Sequence, residues 1–121
     1  MPDSKGKVDI QTKPNAQNGL CKNTMEYVKE NYCDSSLSLD QIGDALGAHK
    51  NYISRLFKVV YGENLISYVE QLRIRKACEL LHSSTLKIEE LAQMVGYTSA
   101  ASFRRAFKKV KGVSPGDFRK R

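Results

Sequence analysis

From Met25 to Arg121, apolar side chains recur every three or four positions, the spacing of one face of an α-helix, and no stretch alternates as a strand would. Met25, Val28 and Tyr32 share a face of a first helix, with Asn23 or Thr24 as its N-cap. Ser38-Leu-Asp-Gln41 is a capping box opening a second helix, whose Leu39, Ile42 and Leu46 form a stripe that Gly47 ends. A third runs from Lys50 to Tyr61 with Ile53, Leu56, Phe57 and Val60 inward, and Gly62 closes it. Asn64 caps a long helix to about His82, bearing Leu65, Tyr68, Val69, Leu72, Ala77, Leu80 and Leu81. Ser83-Ser84-Thr85 break the pattern before two more helices, about Ile88 to Val95 and Ser99 to Lys111. Ser114-Pro115-Gly116-Asp117 then supplies a cap, a proline at N1 and an acid at N3 for a short last helix. The pattern predicts an all-α protein of about seven helices. Residues 1–20 read as a flexible linker, because only Val8 and Ile10 are sizeable apolar residues before Leu20. Such a start suggests that something larger precedes it.

Much of this pattern is written twice. Leu39-Asp-Gln-Ile42-Gly43-Asp-Ala-Leu46-Gly47 matches Ile88-Glu-Glu-Leu91-Ala92-Gln-Met-Val95-Gly96. Ile53-Ser-Arg55-Leu-Phe57-Lys58 matches Phe103-Arg-Arg105-Ala-Phe107-Lys108. The offset is 49 residues up to the first glycine (Gly47 to Gly96) and 50 beyond it (Gly62 to Gly112), so the second copy has one extra turn residue. A helix-turn-helix needs a small residue where its helices cross, a glycine in the turn, and apolar positions that lock the pair. The first copy offers Gly43, Gly47, Ile42, Leu46, Ile53 and Leu56; the second offers Ala92, Gly96, Leu91, Val95, Phe103 and Ala106. A plain hairpin repeat of the solenoid kind would need more copies to bury a continuous core.

Charge adds a direction to this picture. The chain carries a formal +7, and the charge is segregated. Residues 21–46 are net −3, residues 47–62 hold three cations and no acid, and residues 97–121 hold eight cations and one acid. Positive charge thus follows the second helix of each copy, which points to an anionic partner such as nucleic acid. Met1–Leu20 has no apolar core of a signal peptide, and no run approaches a membrane span, so a cytoplasmic protein without membrane contact is expected. Cys21, Cys33 and Cys78 lack metal-ligand spacing and read as reduced thiols in or near the core. His49 and His82 have no ligand cluster near them, and neither a metal nor a cofactor is expected.

With Ile53, Leu56, Phe57 and Val60 inward, Asn51, Tyr52, Ser54, Arg55 and Lys58 face out; with Phe103, Ala106, Phe107 and Val110 inward, Ala101, Ser102, Arg104, Arg105 and Lys108 face out. Arginine bonds guanine bidentately and asparagine bonds adenine, so Arg55, Arg105 and Asn51 are the best base readers by chemistry. Lys50, Lys58, Arg104, Lys108, Lys109 and Lys111 are phosphate candidates. The plain alternative for each is a solvated helix face.

The motifs resemble a known family. Ile53-Ser-Arg55-Leu-Phe57-Lys58, Leu72-Arg73-Ile74, Ile88-Glu-Glu-Leu91-Ala92, Val95-Gly96-Tyr97, Phe103-Arg-Arg105-Ala-Phe107-Lys108 and Gly112-Val-Ser-Pro115 are similar to the DNA-binding domain of AraC/XylS regulators. The resemblance covers about residues 21–120. It implies two helix-turn-helix subdomains, 21–63 and 83–121, joined by a linker helix over 64–82. It also implies bacterial transcription regulation, usually activation, with recognition helices in successive major grooves. Double-stranded DNA and RNA polymerase are then the partners, and a sensory or dimerisation domain is expected to precede this segment. Carried over by position, the base-reading residues are Asn51, Ser54 and Arg55, then Ala101, Ser102 and Arg105.

Three departures bear on that carry-over. His49 stands where a Ser-like cap is usual, so the first recognition helix is expected to fray or be capped by other means. Lys87 replaces a second usual cap, with Thr85 as a substitute. Ala100-Ala101 occupy often-polar positions and offer only apolar contact, for example to a thymine methyl. Two other binding classes compete. A helical protein-interaction module would not need basic recognition faces. An RNA binder would want exposed aromatics, and only Tyr52, Tyr61 and Tyr97 lie near those faces. An enzyme finds no support, since there is no nucleophile–base pair, metal cluster or phosphate loop.

Overall fold

The computed structural model describes residues 14–121, with side chains from residue 19 onward. Seven helices and no strand occur among the described residues, as the periodicity predicts. They are α1 (Pro14–Asn31), α2 (Leu39–Leu46), α3 (Lys50–Tyr61), α4 (Leu65–Ser83), α5 (Ile88–Met94), α6 (Ala100–Lys111) and α7 (Pro115–Arg119). The first helix corrects the sequence reading. It starts at Pro14, ahead of Asn23, so Pro14 to Leu20 are helical; the rest of the linker expectation lies outside the described residues. Thr24 is no cap: it is buried inside α1, and its hydroxyl donates to the Leu20 carbonyl at 2.8 Å. A polar composition hid this stretch, but a threonine hydroxyl inside a helix can be satisfied four residues back.

The described chain forms two compact units. The first comprises residues up to Lys29 with Ser38–Ile66, and the second Glu30–Leu37 with Ser67–Arg121. In the first, α2 packs on α3. Its buried side chains include Cys21, Val28, Ile42, Ile53, Leu56, Phe57 and Leu65. Gly43 makes the close crossing possible: a Cβ there would stand 2.6 Å from the Ala48 carbonyl oxygen, a backbone atom with little room to yield. The matching position in the second unit, Ala92, does hold a methyl group and is fully buried.

In the second unit, Ile74, Ala77, Leu81, Leu91, Ala92, Val95, Phe103, Ala106 and Phe107 form the core. Aromatic rings run through it in series. Tyr97 meets Phe103 at 5.6 Å, Phe103 meets Phe107 at 5.7 Å, and Phe107 meets Phe118 of α7 at 5.4 Å between centroids. Two arginines tie segments to this core through backbone carbonyls. Arg73 donates to the carbonyls of Tyr32 (2.6 Å) and Asp34 (3.0 Å) and lies over the Tyr97 ring. Arg119 donates to the carbonyls of Leu81, Ser84 and Leu86 at 3.0, 3.2 and 2.6 Å, holding the loop between α4 and α5. Gly96, at φ +108°, lets the chain pass beside Arg73, since a Cβ there would come within 2.7 Å of its Nε and 2.8 Å of the Tyr32 oxygen.

Two expected core positions lie at the rim instead. Val60 is 42% and Val110 38% exposed, because the last turn of each basic helix runs past the edge of its core. Cys33 is likewise exposed, while Cys21 is buried and Cys78 half-buried. Burial pushes the Cys21 and Cys78 thiols above the ordinary range.

Two outcomes test this packing. Replacing a helical glycine with alanine ordinarily stabilises by about 1 kcal/mol. Gly43→Ala is instead expected to destabilise by roughly 1–2 kcal/mol in urea unfolding, since the methyl meets backbone. The second concerns Tyr97, whose buried hydroxyl makes no well-formed hydrogen bond among the described residues, with only the Arg73 guanidinium beside it to favour the charged form. Burial pushes its pKa up to about 12, so the folded state favours the neutral phenol. Stability from this shift is fully present below the ordinary tyrosine value of about 10 and is lost as pH rises toward 12. Tyr97→Phe should therefore remove that alkaline loss and cost no stability at pH 7, measured by unfolding at both pH values.

Candidate nucleic-acid interface

Each basic helix is held by a buried inner face. On α3, Ile53, Leu56 and Phe57 are at most 2% exposed; on α6, Phe103 and Phe107 are fully buried and Ala106 nearly so. That leaves Asn51, Arg55 and Lys58 exposed on α3, and Ala101, Arg104, Arg105, Lys108, Lys109 and Lys111 exposed on α6. Lys50, Ser54 and Ser102 are half-buried. Every residue expected on the two outer faces therefore lies on α3 or α6, but their side chains are not equally available.

Ser102 is committed locally. Its hydroxyl donates to the Ser99 carbonyl at 3.0 Å, and the Ser99 hydroxyl lies 3.0 Å from its oxygen. Ser99 in turn caps α6, accepting from the Ser102 amide at 3.1 Å. Three phosphate candidates rest on carboxylates: Lys50 on Asp40 at 3.2 Å, Arg104 on Glu89 at 3.3 Å, and Lys109 on Glu70 at 3.1 Å. The Lys111 ammonium stands 5.9 Å from the Phe118 ring centre. Among the described residues, no carboxylate pairs with Arg55, Arg105, Lys58 or Lys108. The pairs at Lys50 and Arg104 are exposed on both sides, and such pairs are worth about 0–1 kcal/mol, so they orient these cations without locking them; at the third pair Glu70 is half-buried and Lys109 exposed. The Glu89 carboxyl is held below its ordinary value by a hydrogen bond from its own backbone amide and then by Arg104. Asp40 and Glu89 each sit in the first turn of the helix preceding a basic helix, where the positive end of the helix dipole also favours a carboxylate.

The two departures at helix starts resolve differently. His49 does cap α3: its Nδ1 accepts from the Asn51 amide at 3.1 Å, which requires that nitrogen to be unprotonated. At α5, Thr85 does not stand in as the cap. The helix begins after Lys87, whose amide donates to the Glu90 carboxylate at 3.0 Å, the return half of a capping box. Sequence reading passed over the structural use of Arg73 and Arg119, and over the acids that hold the cations. Only the acids left a signal, a first-turn Asp or Glu at the same place in both copies.

No group of three or more His, Cys, Asp or Glu side chains among the described residues could hold a metal, and no described helix is long and apolar enough to cross a membrane. The cap at His49 yields a direct expectation. His49→Ala should cost about 0.5–2 kcal/mol in denaturant unfolding, whereas His49→Ser should match or exceed the parent, because serine is a strong N-cap.

A helix-turn-helix domain family model matches residues 25–121. The xylose operon regulatory protein of Escherichia coli K12 is 34% identical over 95 residues, which are 78% of this chain and 24% of that protein. The Tn10 TetD protein of Escherichia coli is 35% identical over 101 residues, or 84% of this chain and 72% of that one. Among solved structures, the C-terminal domain of AraT, a response regulator from Geobacillus stearothermophilus, aligns with a TM-score of 0.82 and 35% identity over 84% of both chains. The chain therefore belongs to the AraC/XylS family, as a helix-turn-helix DNA-binding domain of a transcription regulator and not an enzyme.

Proposed function

We propose that this domain reads duplex DNA with α3 and α6 as recognition helices in successive major grooves, and that the larger protein activates transcription. One observation carries the reading. Each copy of the repeat holds a basic helix by a buried inner face and leaves an exposed arginine, Arg55 or Arg105, with no carboxylate partner among the described residues. Such a side chain can meet a guanine edge at no electrostatic cost to the fold. Grooves on one face of B-DNA repeat about every 34 Å, so the site would span about two turns. The functional segments in this reading are 21–63, the linker helix 64–82 and 83–121.

Within it, Arg55, Asn51 and Ser54 do most of the reading. Ala101 offers at most a methyl contact, and the Ser102 hydroxyl must first leave Ser99, so the second helix relies on Arg105. Lys58 and Lys108 are the readiest phosphate contacts, with Lys50, Arg104, Lys109 and Lys111 joining once they leave their present partners. The xylose regulator is an operon regulator of which this chain matches 24%, which supports a larger whole protein; a preceding sensory or dimerisation domain and contact with RNA polymerase complete the proposed reading.

Selection from a random duplex library, repeated with variants, tests the assignment. Arg55→Ala and Arg105→Ala should each cost about 1–3 kcal/mol on the selected site and relax one base position. Lys58→Ala and Lys108→Ala should weaken all sequences alike and lower the salt slope by about 0.9. Unchanged base preference in both arginine variants would refute base reading by these helices.

A further inference from the structure

We infer that Asp40 and Glu89 are resident competitors for DNA phosphate: each holds one cation of its recognition helix and so moderates the grip of its unit on duplex. The inference rests on the DNA-binding reading above. Both carboxylates stand at the same place in the repeat, 49 residues apart (Asp40 and Glu89), on the second residue of α2 and of α5. Yet they take different cations. Asp40 pairs with Lys50, the first residue of α3, at 3.2 Å; Glu89 pairs with Arg104, the fifth residue of α6, at 3.3 Å. The acid position is repeated while the position of its cation is not. The counterparts of Lys50 and Arg104 in the other copy are Ala100 and Ser54, so each acid meets a cation that the other copy lacks.

The plain alternative is that a first-turn acid serves its own helix dipole. That role needs no cation from the next helix. It predicts a small loss of stability when the acid is neutralised and no change in DNA affinity. Competition predicts a gain in DNA affinity. A phosphate reaching Lys50 or Arg104 must displace a carboxylate, and an exposed pair shifts such an equilibrium by at most about fivefold. Both pairs are exposed enough for that exchange: the side chains of Arg104 and Glu89 are 49% and 65% accessible, and those of Lys50 and Asp40 are 42% and 73%. The Glu89 carboxyl is also held below its ordinary value by its own amide and then by Arg104, so the competitor is charged at neutral pH.

The experiment measures binding of the whole chain to random-sequence and selected duplexes from low to physiological salt. Glu89→Gln should raise affinity for both duplexes two- to fivefold at low salt and steepen the salt slope by up to about 0.9. Asp40→Asn should do the same through Lys50. In an Arg104→Ala background, Glu89→Gln should have no effect on affinity, and in a Lys50→Ala background neither should Asp40→Asn. An unchanged or weakened affinity in the single variants overturns the inference. So does an equal gain in the cation-free backgrounds, which would mark a general change in net charge. If the unmodified chain binds no duplex at all, the DNA-binding reading itself fails, a result distinct from either of these.

Discussion

Burial of three side chains on each basic helix, Ile53, Leu56 and Phe57 on α3 and Phe103, Ala106 and Phe107 on α6, fixes the rotation of that helix about its axis. Successive helical residues are about 100° apart, so a slip of one residue would turn Arg55 or Arg105 well away from its present direction. On α3 that slip would expose an isoleucine, a leucine and a phenylalanine, at roughly 1.5–3 kcal/mol each. The total approaches the whole stability of a small domain. The outward display of polar groups is therefore as well determined as the core itself, and Gly43 and Ala92 belong to the same constraint. They set how closely the supporting helix approaches, and so where the basic helix sits.

Four arginines show how one side-chain type divides between fold and function. Arg73 and Arg119 turn their guanidinium groups onto backbone carbonyls at helix ends and loops, among them that of Asp34, which also accepts from the Leu37 amide. Together they make five hydrogen bonds within the second unit. Arg55 and Arg105 make no such bonds among the described residues and point out from their helices. The positive charge of the C-terminal segment is thus partly structural. Counting cations overstates the polyanion-binding surface by those fastened to carbonyls, as with Arg119, while one resting on a carboxylate, as with Lys109, has only to leave it.

The helices and the inner faces were legible because period, caps and glycines agree locally, from Ser38 and Gly47 to Ser114 and Pro115. What was not legible depends on contacts distant in sequence or on geometry at a single atom. The start of α1 was missed because polar residues such as Asn15 and Gln17 carry no apolar period, and Thr24 has the chemistry of a cap but the place of a core residue. Val60 and Val110 keep the helical period past the point where the core ends, so periodicity alone could not expose them. At the candidate interface, the outer residues followed from the inner ones. Availability did not: Ser102 is lost to Ser99 by a local hydrogen bond, and Arg104 is turned aside by an acid fifteen residues earlier.

The clamp formed by Arg119 also orders events in time. A chain is made from its N-terminus, and compact units fold as they emerge. All elements of the first unit, through Ile66, are available before most of the second has been synthesised. The loop between α4 and α5, by contrast, waits for a guanidinium supplied by α7, the last helix. Until then the carbonyls of Leu81, Ser84 and Leu86 lack the three hydrogen bonds that Arg119 gives them. The duplicated halves are thus alike in architecture but unlike in birth: every residue of the first is made before α5, while the α4–α5 loop of the second lacks its latch until the turn of helix bearing Arg119 arrives.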